Sequence, residues 1–414
     1  MRTIKLKDVA TILLSNVDKK SFDTEIDVLL CNFTDVYYNW AITKNMTSDF
    51  MKATANQKEI KRFTICKGDV AITKDSETRY DIGSSTYIAD DVDNVLLGYH
   101  CALIRPNPQL LSGKYLNALF HSEYAKKYFA NAAGGSGQRY TLTLDAIENF
   151  PVPAISLTEQ IKIGTCLNNI DQQIQRNNEM VHKLQDMAQA TYSRWFNQFE
   201  YPNNNEEKLF NEQLGREIPK SWNVLSLSDC VSLNTRGISQ VEDPNKQIVP
   251  VINQKCIRNG NILMSEIYWH NNDNCLSTYK LLFMDVLVNS MGTGTLGRIS
   301  PFVINEICVP HSCVTLLRIN KLTIVSKAYL YLTMKQMEQK ITSMGTGSTG
   351  QTSLNNSELA KIKIMVPSIT IQTKFEQCVL PLFEQLQRIN METMKLVELK
   401  RTILPLLING QLNI

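Results

Sequence analysis

Two segments, Gly292-Thr293-Gly294-Thr295-Leu296-Gly297 and Gly345-Thr346-Gly347-Ser348-Thr349-Gly350, carry glycines at the spacing that lets a main chain approach a phosphate closely. A dinucleotide site would need a helix N-terminus immediately after the glycines, but Arg298-Ile299-Ser300-Pro301 follows the first segment and Gln351-Thr352-Ser353-Leu354 the second. Glycine mixed with Thr, Ser, Asn, Arg and Gln suits either plain turns or a polar recognition loop with small donors for phosphates and base edges. The equivalent segment of the N-terminal half is Gly134 to Tyr140, where Gln138 and Arg139 could make bidentate contacts to adenine and guanine; its other reading is a flexible surface loop. Lys74, Ser76, Thr78, Arg79 and Tyr80 form a second polar, partly basic cluster, with Asn289, Ser290, Thr293 and Arg298 as counterparts in the other half. The candidate DNA-binding residues are therefore Asn32, Thr34, Lys74, Ser76, Arg79, Tyr80, Gln138, Arg139, Tyr140, Asn253, Lys255, Asn289, Ser290, Thr293, Arg298, Thr349, Gln351 and Thr352.

Catalytic sets are missing from the sequence. It has no G-x-x-x-x-G-K-[ST] loop, no Gly-x-Ser-x-Gly elbow and no Asn-Pro-Pro-Tyr-type segment for amino-group methylation. Ten cysteines include no Cys-x-x-Cys pair, and five histidines (His100, His121, His182, His270 and His311) are dispersed, which argues against zinc, disulfides and a metal site. The chain reads as a binder with no catalytic residues and no bound cofactor. Its 414 residues suggest two or three domains, and 43% hydrophobic with 20% charged residues is ordinary globular usage. A net charge of +3 leaves the partner open, because nucleic-acid binding needs a basic face rather than a basic total. The sequence has no apolar run long enough for a membrane span and no signal-peptide core at MRTIKLKDVA, so a cytoplasmic location is expected.

The elements that must hold these loops occur twice. Glu25 to Leu30, Asp69 to Thr73 and Cys101 to Ile104 are strand signals, and a helical stretch at Lys114 to Phe129 precedes the Gly134 loop. Past Pro151 and Pro153, Ser156 or Thr158 can cap a long helix starting near Glu159 and spanning roughly 57 Å. Gln160 to Phe196 then superposes without a gap on Gln372 to Ile408, bringing Cys166 onto Cys378, Asn178 onto Asn390 and Leu184 onto Leu396. Both copies alternate spacings of four and three, so Ile163, Leu167, Ile170, Ile174, Val181 and Leu184 in one, and Phe375, Val379, Leu382, Leu386, Leu396 and Ile403 in the other, form matched helix-pairing seams. Asn177 at a seam position either fixes helix register or marks a solvent-facing break. Lys400 also occupies a seam position, beside Glu398, where both read as helix-surface charges. Upstream, Val224 to Asp229 matches Ile4 to Asp8, Val249 to Asn253 matches Val28 to Asn32, and Asp285-Val286 matches Asp69-Val70. The offsets shrink along the chain, as they do when loops gain or lose residues on a shared scaffold.

The expected architecture is α+β with a pseudo-twofold internal repeat: two mixed α/β globules of short strands, separated by two long helices paired as an antiparallel coiled coil. Residues 1–155 form the first globule, 156–198 the first long helix, 199–215 a linker, 216–368 the second globule and 369–414 the second long helix. Two similar surfaces in opposite orientations suit duplex DNA, whose strands are related by dyads. A two-headed coiled-coil adaptor for protein partners is the rival reading, and it would protect no defined DNA sequence.

Tandem globules, each followed by a long helix with a Pro-to-Gln lead-in (Pro153 to Gln160; Pro367 to Gln372), resemble the specificity subunit of type I restriction-modification systems. Ile218-Pro219-Lys220-Ser221-Trp222, the loops Gly135 to Gln138 and Gly347 to Gln351, and the terminal Ile408-Asn409-Gly410-Gln411-Leu412 extend the resemblance over essentially the whole chain. It implies two target recognition domains, each reading one half of a bipartite double-stranded DNA target, with the helices setting the spacer. It also implies two modification subunits that bind S-adenosylmethionine and methylate adenine, and restriction subunits that use ATP and magnesium to cleave DNA. The loop after Asp69 lacks counterparts of Gly292, Gly294 and Gly297, so the two halves are expected to read different sequences.

Overall fold

The computed structural model describes residues 2–135, 138–202, 204–239, 247–319, 324–347 and 352–412. It divides into two compact units, one of residues 1–175 and 396–414 and one of residues 176–395.

In unit 1, runs of β-branched and apolar residues build a five-stranded sheet in the order Ala10–Leu14, Cys101–Pro106, Val70–Thr73, Ser85–Ile88, Ala41–Ile42, antiparallel except for the last pair. Ile26–Cys31 pairs antiparallel with Met51–Ala55 and parallel with Val95–Leu97. The helical stretch expected over Lys114 to Phe129 is two helices, Gly113–Phe120 and Glu123–Ala132. Ser122 breaks it by accepting the Ala125 amide in an N-cap, the local hydrogen bond that favours serine at helix starts over helix interiors. Both helices bury their apolar faces around Phe120, Phe129 and Phe150.

Unit 2 repeats this plan. Leu233–Arg236, Val314–Arg318, Val286–Asn289 and Ile299–Pro301 form its antiparallel sheet. Val249–Ile252 lies between an antiparallel Tyr268–His270 and a parallel Val309–Pro310, as Ile26–Cys31 lies between its neighbours in unit 1. Buried carboxylates repeat as well. Arg105 grips Asp69 at 2.9 and 2.7 Å, and Arg318 grips Asp285 through the same two nitrogens. Residues 199–215 include Lys208–Asn211, which pairs with Arg216–Pro219 as a hairpin.

The long helices run over Leu157–Tyr192 and Ile369–Ile408. Ser156 caps the first in a capping box, accepting the Glu159 amide while Glu159 accepts from the Ser156 amide and hydroxyl. Within each unit a stretch of one helix packs antiparallel on a stretch of the other. In unit 1, Ile163 and Leu167 share a core with Ile403, Leu407 and Ile408, and Lys400 bonds Asp171 at 2.8 Å. In unit 2, Val181, Leu184 and Ala188 share a core with Phe375, Val379, Phe383 and Leu386, and Asn177 donates to Thr393 at 3.2 Å, which favours the register role for that asparagine. Of the remaining seam residues, Leu382 packs against that core, and Ile170, Ile174 and Leu396 are half-buried. Lys400 is not a surface charge. Its ammonium lies 3.4 Å from the centre of the Trp40 ring as well as on Asp171. Burial pushes the lysine down and the aspartic acid up, each partly offset by the other's charge.

One glutamine joins each globule to the start of its helix. Gln160 accepts the Ser112 amide through Oε1 and donates Nε2 to the Leu110 and Ile155 carbonyls. Gln372 does the same with Ser326, Ile324 and Pro367. No helix among the described residues is long and apolar enough to cross a membrane.

Candidate nucleic-acid interface

The two polar clusters of unit 1, separate in sequence, are hydrogen-bonded neighbours. Gly134–Gly135 pairs with Tyr140–Thr141, and Tyr140–Thr141 with Asp75–Ser76, so the glycine loop and the loop after Thr73 form one three-stranded sheet. Gly135, at φ +153°, has no room for a side chain: a Cβ would lie 2.2 Å from the Arg139 carbonyl oxygen.

A cleft of about 550 Å³ opens beside this sheet, lined by Thr34, Ser76, Gln138 and Arg139 together with Phe33, Tyr37, Tyr38, Asp75, Glu77, Thr78, Asp81 and His100. At its base the buried Asp75 carboxylate gathers four partners. Thr141 donates to it at 2.7 Å, His100 Nδ1 lies at 2.8 Å, Arg139 at 3.5 Å and Lys74 at 3.9 Å. Burial raises the Asp75 carboxyl, but the hydrogen bonds from His100 and Thr141 and the charges of Lys74 and Arg139 outweigh it and hold it below its ordinary value. The ion pair with Asp75 holds the Arg139 guanidinium on one side while it remains more than half exposed; His100 Nδ1 lies 2.9 Å from it but cannot accept from Arg139 while donating to Asp75. Lys74 lies over the Tyr99 ring and Arg79 over the Tyr140 ring, at 4.7 and 5.2 Å. Tyr80 is 85% exposed and Tyr38 76%. Cations alternating with exposed rings are the composition of a nucleic-acid surface. Asn32 belongs to the scaffold, capping the helix Phe33–Tyr38 that presents Thr34, Tyr37 and Tyr38.

Unit 2 places the same strands more sparingly. Ser353 bridges Met291 on one side and Thr346 on the other, the counterpart of Tyr140–Thr141 between Asp75–Ser76 and Gly134–Gly135. The Leu354 amide donates to Ser290 as Leu142 donates to Lys74, and the Gly297 amide to Asn289 as Gly83 donates to Thr73. The pairing shifts the counterparts read from sequence: Ser290 stands where Lys74 does, Met291 where Asp75 does and Cys313 where His100 does. Gly83 is the counterpart of Gly297, with φ +82° against +84°, so the first loop does contain one of the glycines it was expected to lack. At Gly83 a Cβ would meet Phe129 at 2.5 Å; at Gly297 it would meet Thr342 at 2.2 Å. Each glycine lets its loop close onto the helix beneath it.

Several sequence-derived candidates of unit 2 belong to the interior. Asn289 is fully buried and donates to the Gln254 and Thr295 carbonyls at 3.0 and 3.1 Å. Ser290 is fully buried against Thr315. Asn253, also buried, donates to the Glu266 carbonyl and accepts the Lys255 amide. Their donors are spent on neighbouring carbonyls and on the Thr315 hydroxyl, while Asn289 Oδ1 is left buried without a partner among the described residues. Arg298 donates to the Gly294 and Ile257 carbonyls and braces the glycine loop from within. Lys255 and Thr293 are exposed, and Thr352, half-buried, accepts the Gly292 amide. Thr349 and Gln351 lie outside the described residues.

Sequence reasoning missed Tyr37, Tyr38, Asp81 and His100. Phe33 and Tyr37, stacked at 5.6 Å one helical turn apart, were legible as an aromatic face, whereas His100 gave no local signal because Asp75 is reached only across the sheet. Among the described residues there is no group of three or more residues able to hold a metal ion.

The family of type I restriction modification DNA specificity domains matches residues 1–205 and 219–398. A Methanocaldococcus jannaschii type I restriction enzyme MjaIX specificity subunit is 26% identical over 73% of this chain and 69% of its own length. The Haemophilus influenzae type I restriction enzyme HindI specificity subunit is 22% identical over 84% and 87%. Among solved structures, a type I restriction-modification S subunit from M. genitalium superposes with a TM-score of 0.54 at 12% identity, covering 98% of this chain and 95% of that one, which shows the shared fold.

Proposed function

The chain belongs to the type I restriction-modification DNA specificity family, and from that premise we propose that each unit reads one half of a bipartite duplex target through the loop sheet described above. The observation that carries this reading is the recurrence of one strand arrangement, Asp75–Ser76 with Gly134 to Thr141 and Met291 with Thr346 and Ser353, at the same place in two units whose side chains there differ. A constant frame with variable side chains is what two readers of different sequences require. In unit 1 the contacts fall to Thr34, Ser76, Arg79, Tyr80, Gln138, Arg139 and Tyr140, with Lys74 adding charge. In unit 2 they fall to Lys255, Thr293 and Thr352 with Thr349 and Gln351, while Asn253, Asn289, Ser290 and Arg298 hold the loops.

As a specificity subunit the chain supplies recognition and no chemistry of its own. The paired helices fix the unread spacer and dock two modification subunits; S-adenosylmethionine, ATP and magnesium serve those and the restriction subunits. Family membership disfavours the adaptor reading. The test is a map of methylated adenines in cells carrying this gene with its modification partner, against cells lacking it. A two-part motif with a constant gap, lost with the gene, is expected. Methylation unchanged by its removal sinks the proposal.

A further inference from the structure

The cleft of unit 1 has a polarity that phosphate contact does not explain. Asp75, Glu77 and Asp81 all line it, against Arg139 and His100. Carboxylates repel phosphates and, when ionised, accept hydrogen bonds only. On a duplex, the donors exposed in the major groove are the exocyclic amino groups, N4 of cytosine and N6 of adenine.

Asp81 is built for that task. Tyr37, from the helix Phe33–Tyr38, donates its hydroxyl to Asp81 Oδ2 at 2.6 Å. The Asp81 amide and carbonyl are taken up locally by Thr78 and Ser84, and no hydrogen bond to the second carboxylate oxygen is found among the described residues. The carboxylate is therefore fixed at one oxygen and open at the other, at the wall of a cleft. The hydrogen bond to Asp81, aided by burial, pushes the Tyr37 phenol up to about 12, so the tyrosine stays a donor throughout the neutral range. Unit 2 lacks the charges: counting from the paired glycines Gly83 and Gly297, Asp81 corresponds to Thr295, whose hydroxyl turns back toward the Met291 and Gly292 carbonyls, and Asp75 corresponds to Met291.

We propose that Asp81, held by Tyr37, selects an amino-bearing base, adenine or cytosine, in the half-site read by unit 1, and that unit 2 makes no equivalent selection at Thr295. This rests on the DNA-reading function proposed above and adds the chemical class of one base that it reads.

The experiment uses the full chain assembled with its modification subunits, on duplexes carrying the mapped target. Each adenine is replaced in turn by purine, which lacks N6, and each cytosine by 2-pyrimidinone, which lacks N4. The wild-type complex should lose about tenfold or more in affinity at one such position of one half-site, the size expected when a charged acceptor loses its donor. Asp81→Asn should bind the intact target more weakly and be indifferent to that same deletion, and Tyr37→Phe should show a reduced response with assembly unchanged. Equal losses for wild type and Asp81→Asn at every position overturn the proposal. So does Asp81→Asn weakening subunit assembly without DNA, which would make the cleft a socket for a partner's cationic side chain. Absence of any sequence-specific binding by the wild-type complex would instead fail the DNA-reading function itself.

Discussion

Arg139, a proposed reading residue, depends on a neighbour that is not proposed to read. Asp75 holds one side of its guanidinium, and such anchoring lowers the entropy that a side chain loses on binding. Arg139→Ala is expected to weaken binding to one half-site by about 1–3 kcal/mol while leaving the other half-site and thermal stability untouched, as measured by titrating targets mutated in each half. An unchanged sequence preference would remove Arg139 from the interface. His121 gives a second residue-scale expectation. It stacks on Trp40 at 4.4 Å and bonds the Ser85 carbonyl, and burial together with the Lys400 charge pushes it down from 6.5 to about 3. The unfolded chain therefore binds a proton that the folded one refuses, so the contribution of neutral His121 is intact above about pH 6.5 and is lost as pH falls toward 3. His121→Gln should flatten that part of the stability profile in thermal melts between pH 4 and 7; an unaltered slope would place the acid sensitivity elsewhere. Arg139 is legible as a candidate from its glycine-rich loop, whereas its anchor Asp75 and the Trp40–His121 pair are not, because these partners are distant in sequence and meet only in the fold.

At the scale of elements, periodicity served the helices well and the loops poorly. A seam spaced by four and three is written into consecutive residues, so Val181, Leu184, Val379 and Leu386 could be assigned to a buried face from sequence. Burial is uneven along that seam, which sharpens the mutational expectation. Leu184 is 8% exposed, whereas Leu396 is only half-buried. Leu184→Asp should destabilise unit 2 by about 3 kcal/mol or more, from lost packing plus a buried charge. Leu396→Asp should cost unit 1 distinctly less, because water still reaches the site. Chemical denaturation of the two variants checks the order, and equal losses would mean that helix pairing does not depend on the buried seam. In the loops, by contrast, a cluster of polar residues reads the same from sequence whether it faces a partner or the turn itself. Asn253, Asn289 and Ser290 have the same composition as a recognition loop but spend their hydrogen bonds on carbonyls and a hydroxyl of neighbouring segments. A polar residue after a strand either caps the turn or faces the solvent, and only the fold of the turn decides which.

At the scale of the whole chain, the duplication was legible before any element was, because gaps confined to loops leave the order of strands and helices intact. The residues that differ between the halves are less legible, since a repeat fixes their place in the fold and not which way a side chain turns. The glutamine joints bear on this. Gln160 and Gln372 spend their amides on main-chain atoms of Leu110, Ser112 and Ile155 and of Ile324, Ser326 and Pro367. A joint made to the main chain does not register which side chains the globule carries. Substitutions in the loops therefore leave these two joints unchanged, whereas Trp40 beneath Lys400 and Thr333 beside Tyr192 are globule side chains that the helices do register. Where the attachment is written in the backbone, loop side chains are left free to drift.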